Sequence, residues 1–189
     1  MKKEVELPRG VKFDDLLRTL RVLSWGASDI LKAYAKGEKP PYGFPKALSV
    51  QDGGDGPVTA ADLAVNSWLL DGLNNSFPLA SWAMISEENF KEELSNGLPV
   101  KNEWIWILDP LDGTKDFLIG TGEYAVHLAL LKDNIPVLGV VLVPELEELW
   151  FGIVDSGAWC EDRTGKTKKV NFFQIILSLI AVFLLLTFG

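Results

Sequence analysis

The chain has 189 residues, enough for one full-sized core or a domain with an appendage. It carries 26 Asp+Glu against 18 Lys+Arg, for a net charge of −8. Its only basic cluster is the short Lys166-Thr167-Lys168-Lys169 run, which argues against a surface for duplex nucleic acid. A single cysteine, Cys160, excludes an intrachain disulfide and a multi-cysteine zinc site. Cys160 reads as a small buried hydrophobe, and the lone His127, in an alternating apolar strand, as structural. Met1-Lys2-Lys3 is followed by charged residues and not an apolar core, so the expectation is no signal peptide and a cytoplasmic or organellar location.

Apolar residues at 13, 16, 17, 20, 23, 27, 30, 31 and 34 predict a helix from Phe13 to about Tyr34, with Asp14 and Asp15 at the positive end of its dipole. Gly26 is its expected weak point. Gly37, Pro40, Pro41, Gly43 and Pro45 then make a linker into Gln51-Asp52-Gly53-Gly54-Asp55-Gly56, a loop too glycine-rich to pack and expected to be mobile. A second helix is predicted to start at Thr59, where Thr59-Ala60-Ala61-Asp62 has the form of a capping box. Leu79 to Ile85 reads as a strand ending on Ser86-Glu87-Glu88-Asn89, and Glu92 to Pro99 as a surface connection.

Trp104 to Leu108 is an apolar run fit for a strand buried on both faces. It meets Asp109, and Pro110 is expected to end ordinary ladder pairing. Asp112-Gly113 reads as a tight turn folding the chain back. Asp109 and Asp112 would then sit at the mouth of a stiff strand beside the Thr114 hydroxyl, an arrangement suited to hard cations such as Mg²⁺. Strands follow over 124–131, 136–143 and 148–153, with a short one hinted at by Gly157-Ala158-Trp159. Helices first and strands afterwards predict an α+β layered structure with an antiparallel sheet.

Pro57-Val58-Thr59-Ala60-Ala61-Asp62, Ser86-Glu87-Glu88 and Asp109-Pro110-Leu111-Asp112-Gly113-Thr114 together resemble the metal-dependent, lithium-sensitive phosphatases that include inositol monophosphatase and the 3'(2'),5'-bisphosphate nucleotidases. The similarity covers roughly residues 10 to 163, and Lys115-Asp116-Phe117 after Thr114 favours the nucleotidase branch. The resemblance implies the first half of a layered α/β sandwich of the inositol monophosphatase/fructose-bisphosphatase type. It also implies two or three Mg²⁺ ions held by Glu87, Asp109, the Leu111 carbonyl and Asp112. Thr114 with Asp62 would orient and help deprotonate the attacking water, while Glu87 would share in catalysis through the metal. Gly113 and Thr114 would meet the substrate phosphate, and Glu88 would support the ligands from behind. The implied substrate is a small phosphorylated metabolite, either adenosine 3',5'-bisphosphate or an inositol phosphate.

The chain departs from the family pattern in one respect. Family members continue into a second α/β half with a further metal-binding aspartate in a Trp-Asp-x-x-Ala/Gly element, which is absent here. The expectation is therefore weak turnover, or an inactive metal-binding or membrane-tethered remnant. A phosphatase domain is assigned to residues 1–165 and an apolar tail to 166–189. The run Phe172 to Phe188 would span about 26 Å as a helix, close to a bilayer core. A C-terminal membrane anchor and a truncation product, such as intron read-through, are the two readings of that tail.

Overall fold

The computed structural model describes residues 6–46, 50–52, 57–89 and 102–170. Helix α1 (Phe13–Ala35) is followed by strands β1 (Val50–Asp52) and β2 (Pro57–Thr59), helix α2 (Ala60–Ser76) and strand β3 (Ala83–Ser86). A single 3-10 turn (Glu87–Asn89) precedes β4 (Trp104–Asp112), the short helix α3 (Thr114–Ile119) and β5 (Ala125–Lys132). Strands β6 (Ile135–Val143), β7 (Glu148–Ile153), β8 (Gly157–Asp162) and β9 (Thr167–Val170) complete the described order. Thr167–Val170, which the sequence grouped with the tail, thus belongs to the sheet.

Strands β3 to β9 form one sheet in sequence order. All its pairs are antiparallel except β3 with β4, so the sheet is mixed and not purely antiparallel as expected. The reason lies in the connection. Residues 87–103 are long enough for the crossover that a parallel pair needs, whereas the later strands are joined by short turns. Gln51 and Asp52, expected in the loop, pair instead as β1 against Pro57–Val58 of β2. Residues 53–56, the surface connection at 92–99 and the apolar run at 172–188 lie outside the described residues.

Helices α1 and α2 lie together on one face of the sheet. Leu16, Leu20, Ile30 and Leu31 of α1 and Val65 and Leu69 of α2 join Trp106, Leu128, Val140 and Phe151 in one fully buried cluster. Arg21 reaches from α1 to the buried Glu161 of β8, with Nε 2.6 Å from Oε1.

Gly26 is not a weak point but the place where the two helices touch. A Cβ there would lie 2.5 Å from Cζ2 of Trp68, whose indole nitrogen donates to the Leu23 carbonyl at 2.9 Å. Gly72 of α2 plays the matching part, since a Cβ there would lie 2.2 Å from Cδ2 of Leu23. The two obstacles differ in kind: a leucine methyl can swing away, whereas a packed indole with a hydrogen bond cannot. Helix propensity favours alanine over glycine by about 1 kcal/mol, but overpacking a tight contact costs about 1–3 kcal/mol. Gly26→Ala should therefore destabilise the fold in urea titrations and by more than Gly72→Ala does. An increase in stability for Gly26→Ala would show that the helices can part without cost.

Candidate metal centre

The motif residues gather where the C-terminal ends of β3 and β4 meet the N-termini of α2 and α3. Strand β4 does not stop at Asp109. It continues to Asp112, but pairing steps from Asp109↔His127 to Asp112↔Ala125, leaving one extra residue on β4. This is a β-bulge at Pro110–Leu111, where proline's missing N–H removes nothing from the ladder. The bulge also bends the backbone so that the Leu111 N–H donates to Asp109 Oδ1 at 3.0 Å. Gly113 does not fold the chain back as a tight turn. It takes the left-handed conformation at φ 84° and leads straight into α3, its carbonyl accepting from the Phe117 N–H at 2.9 Å. A side chain at Gly113 would lie 2.7 Å from the Glu123 carbonyl oxygen, so glycine is needed both for the φ and for the space.

Asp62 is placed by the capping box foreseen in the sequence. Thr59 Oγ1 accepts from the Ala61 and Asp62 N–H groups, while Asp62 Oδ2 accepts from the Thr59 N–H at 2.8 Å and from the Thr59 hydroxyl. The other oxygen, Oδ1, lies 3.3 Å from Thr114 Oγ1, which is itself 3.0 Å from the Leu111 carbonyl oxygen. Thr114 has one proton for these two acceptors. The hydroxyl therefore links the α2 cap to the β4 bulge, across 52 residues of sequence.

The electrostatics are those of like charges confined together. Asp62 and Asp109 are almost wholly buried, Glu88 and Asp112 are partly exposed and Glu87 is exposed. Burial raises the Asp109 carboxyl well above its ordinary pKa, and the charges of Glu87 and Asp112 push it further. Glu87 is raised by desolvation first and then by Asp62 and Asp112, with the nearby Asp109 carboxyl pulling it down. Glu88 is pushed up to about 7 by desolvation, then by Asp62 and Glu87. Asp62 is raised by burial against the lowering effect of its Thr59 and Thr114 hydrogen bonds.

His127 is the residue that motif reading passed over as structural. It stands opposite Asp109 on β5, and its Nδ1 is 3.9 Å from Asp112 Oδ2. Burial holds the imidazole below its ordinary pKa against the pull of Asp112. The pairing register of β4 with β5 is the only signal that could have found it.

Among the described residues no three acidic, histidine or cysteine groups converge as a closed metal cage. The donors nonetheless fit a hard cation. Asp109 Oδ2 is buried with no donor in hydrogen-bond geometry, and the oxygens of Glu87, Asp112 and the Leu111 carbonyl belong to the same mouth. An all-oxygen set with open positions is what Mg²⁺ or Ca²⁺ takes up, and a cation would relieve the repulsion that raises these pKa values.

Residues 14–184 match the inositol monophosphatase family. This chain belongs to that family. The match runs beyond Arg163, where the motif resemblance ends. Among curated relatives, the 3'(2'),5'-bisphosphate nucleotidase CysQ of Escherichia coli K12 is 34% identical over 151 residues, 79% of this chain and 55% of that protein. CysQ of Salmonella typhimurium is 37% identical over 119 residues, 62% of this chain and 45% of that protein. Of solved structures, the extragenic suppressor protein suhB from Bartonella henselae aligns with a TM-score of 0.60 at 23% identity, covering 78% of this chain and 52% of that one. A dual specific IMPase/NADP phosphatase bound with D-inositol-1-phosphate aligns at 0.63 and 19% identity, covering 82% and 52%. At such identities the likeness shows the fold. The chain spans about half the length of these relatives.

A pH dependence follows from the raised carboxyls. A carboxyl with a folded pKa above its unfolded value stabilises the fold while protonated. That contribution is complete below about pH 4 and is lost as the pH rises through the folded value, about 7 for Glu88. In EDTA, Tm should fall between pH 5 and pH 8, while the rise in Tm on adding Mg²⁺ should grow over the same window. Asp109→Asn keeps an acceptor for the Leu111 N–H but removes a charge. It should raise Tm in EDTA at pH 7.5 by an amount worth about 0.5–2 kcal/mol and remove most of the Mg²⁺ increment. A lower Tm for Asp109→Asn in EDTA would mean that repulsion does not govern this site.

Proposed function

We propose that this chain carries the metal-binding half of a Mg²⁺-dependent phosphomonoesterase that removes the 3'-phosphate of adenosine 3',5'-bisphosphate. The observation that carries the proposal is the Asp62–Thr114–Leu111 link, which joins a buried potential base to the acidic mouth of β4. The similarity to the CysQ nucleotidases and the Lys115-Asp116-Phe117 sequence favour a nucleotide over an inositol phosphate as substrate.

Glu87, Asp109, Asp112 and the Leu111 carbonyl would hold the cations, two or three in number. Mg²⁺, when bound, neutralises the phosphoryl oxygens and the charge that develops as the phosphorus–oxygen bond breaks. The remaining work falls to the chain itself. Asp62, with its pKa raised by burial, is a better proton acceptor than an exposed aspartate, and Thr114 stands between it and the mouth. A proton leaving the attacking water can pass to Thr114 Oγ1 as that hydroxyl gives its own to Asp62 Oδ1. Gly113 and Thr114, part-exposed at the N-terminal turn of α3, would meet the phosphate. Glu88 sits beside Glu87 and Asp62 and adds to the field that holds a cation.

Because the chain spans about half of its curated relatives, a second reading is a metal-binding protein without turnover. Phosphate release from adenosine 3',5'-bisphosphate and from inositol 1-phosphate, with Mg²⁺ against EDTA, separates these readings. Slow, Mg²⁺-dependent release with preference for the nucleotide is expected, falling by about 100-fold or more in Thr114→Ala and recovering in Thr114→Ser. Preference for inositol 1-phosphate would overturn the substrate. Mg²⁺ binding without release from either compound would overturn the activity.

A further inference from the structure

His127 is the chain's only histidine, and it stands at the acidic mouth. Ile105 and Ile107 of β4 pack with Ala129 and Leu131 of β5 in one cluster on one face of the sheet. Alternation along the two strands carries that face on to Asp109 and His127, which are paired directly. Directly opposed residues hold their Cβ atoms about 4.5–5.5 Å apart. Beyond the bulge, Asp112 reaches the same ring, with Oδ2 3.9 Å from His127 Nδ1. One nitrogen thus sits among oxygen donors that the sequence motifs alone make look uniform.

The 3.9 Å separation is too long for a hydrogen bond between these two atoms, but it suits two atoms that share an ion. Ligand atoms each about 2.1 Å from a common metal ion stand at most about 4.2 Å apart. Asp109 adds a second observation. It is 1% exposed, and its Oδ2 is buried with no donor in hydrogen-bond geometry, on the strand position facing His127. The side chain of Asp112 is 43% exposed and that of His127 17%, so an ion between them keeps positions open to water or substrate. The site is an open one and not a closed cage. Oxygen donors alone suit Mg²⁺, whereas an imidazole turns the preference toward first-row transition ions. We propose that His127 Nδ1 and Asp112 Oδ2, with Asp109 beside them, bind a divalent transition-metal ion such as Mn²⁺ at one cation position of the mouth. His127 then sets which metal this chain takes. The inference rests on the metal-site reading of the proposed function and adds to it the identity of one ion.

The decisive measurement needs no substitution, because any histidine nitrogen in this chain is that of His127. Mn²⁺ is added to the full chain, free of tags and other metals, and electron spin echo envelope modulation detects nitrogen bonded to the ion. The expected spectrum carries ¹⁴N modulation that changes to the ¹⁵N pattern when histidine alone is ¹⁵N-labelled. Calorimetry supplies a second readout. The wild-type chain should bind Mn²⁺ more tightly than Mg²⁺, and His127→Asn should reduce that preference by about tenfold through Mn²⁺ alone. An unchanged Mg²⁺ affinity in the variant shows that its carboxylates still stand in place. Mn²⁺ bound without histidine modulation would overturn this inference and leave the acidic metal site standing. Binding of neither Mn²⁺ nor Mg²⁺ would overturn the metal-site reading and this inference with it.

Discussion

Carboxylates from three separate elements of the chain are held within one another's electrostatic reach, and two of them, Asp62 and Asp109, are buried away from the water that would screen them. Asp62 comes from the first turn of α2, Glu87 and Glu88 from the turn after β3, and Asp109 and Asp112 from either side of the bulge in β4. No fold assembles such a group for stability, because each added charge raises the cost of ionising the others. The neighbouring structure can be understood as what is required to keep them together. The capping box fixes Asp62, the bulge gives Asp109 its Leu111 N–H, and Thr114 bridges the two. The helix pair behind them, closed over Gly26 and Gly72, supplies a rigid platform from which α2 can present its N-terminus.

Much of this was legible in the sequence, because the strongest local signals were also the functional ones. Thr59 and Asp62 announced a capping box at the right spacing, and the apolar run before Asp109 announced a buried strand. What escaped was set by tertiary contact. Gly26 looks like a flaw in a helix until Trp68, from another helix, is seen to occupy the space where its side chain would be. Pro110 looks like a strand terminator until the ladder is seen to bulge around it. The parallel entry of β3 depends on a long crossover that no local pattern reports. His127 needed the register of two strands, which one sequence read alone does not supply.

The two faces of the sheet divide the molecule's work. One is filled by α1 and α2 and carries the larger core, which makes the positions of the β4 and α2 termini stiff. The other carries the smaller apolar cluster of Ala83, Ile105, Ala129, Leu131 and Ala158.

The central claim is that protons occupy the acidic site until a cation displaces them. Calorimetric titration of the full chain with Mg²⁺ at pH 6.5, repeated in buffers of different ionisation enthalpy, counts the protons released on binding. The account predicts a net release, on the order of one proton, that diminishes toward pH 8 and is lost in Asp109→Asn. Mg²⁺ binding with no proton released at pH 6.5 would contradict it.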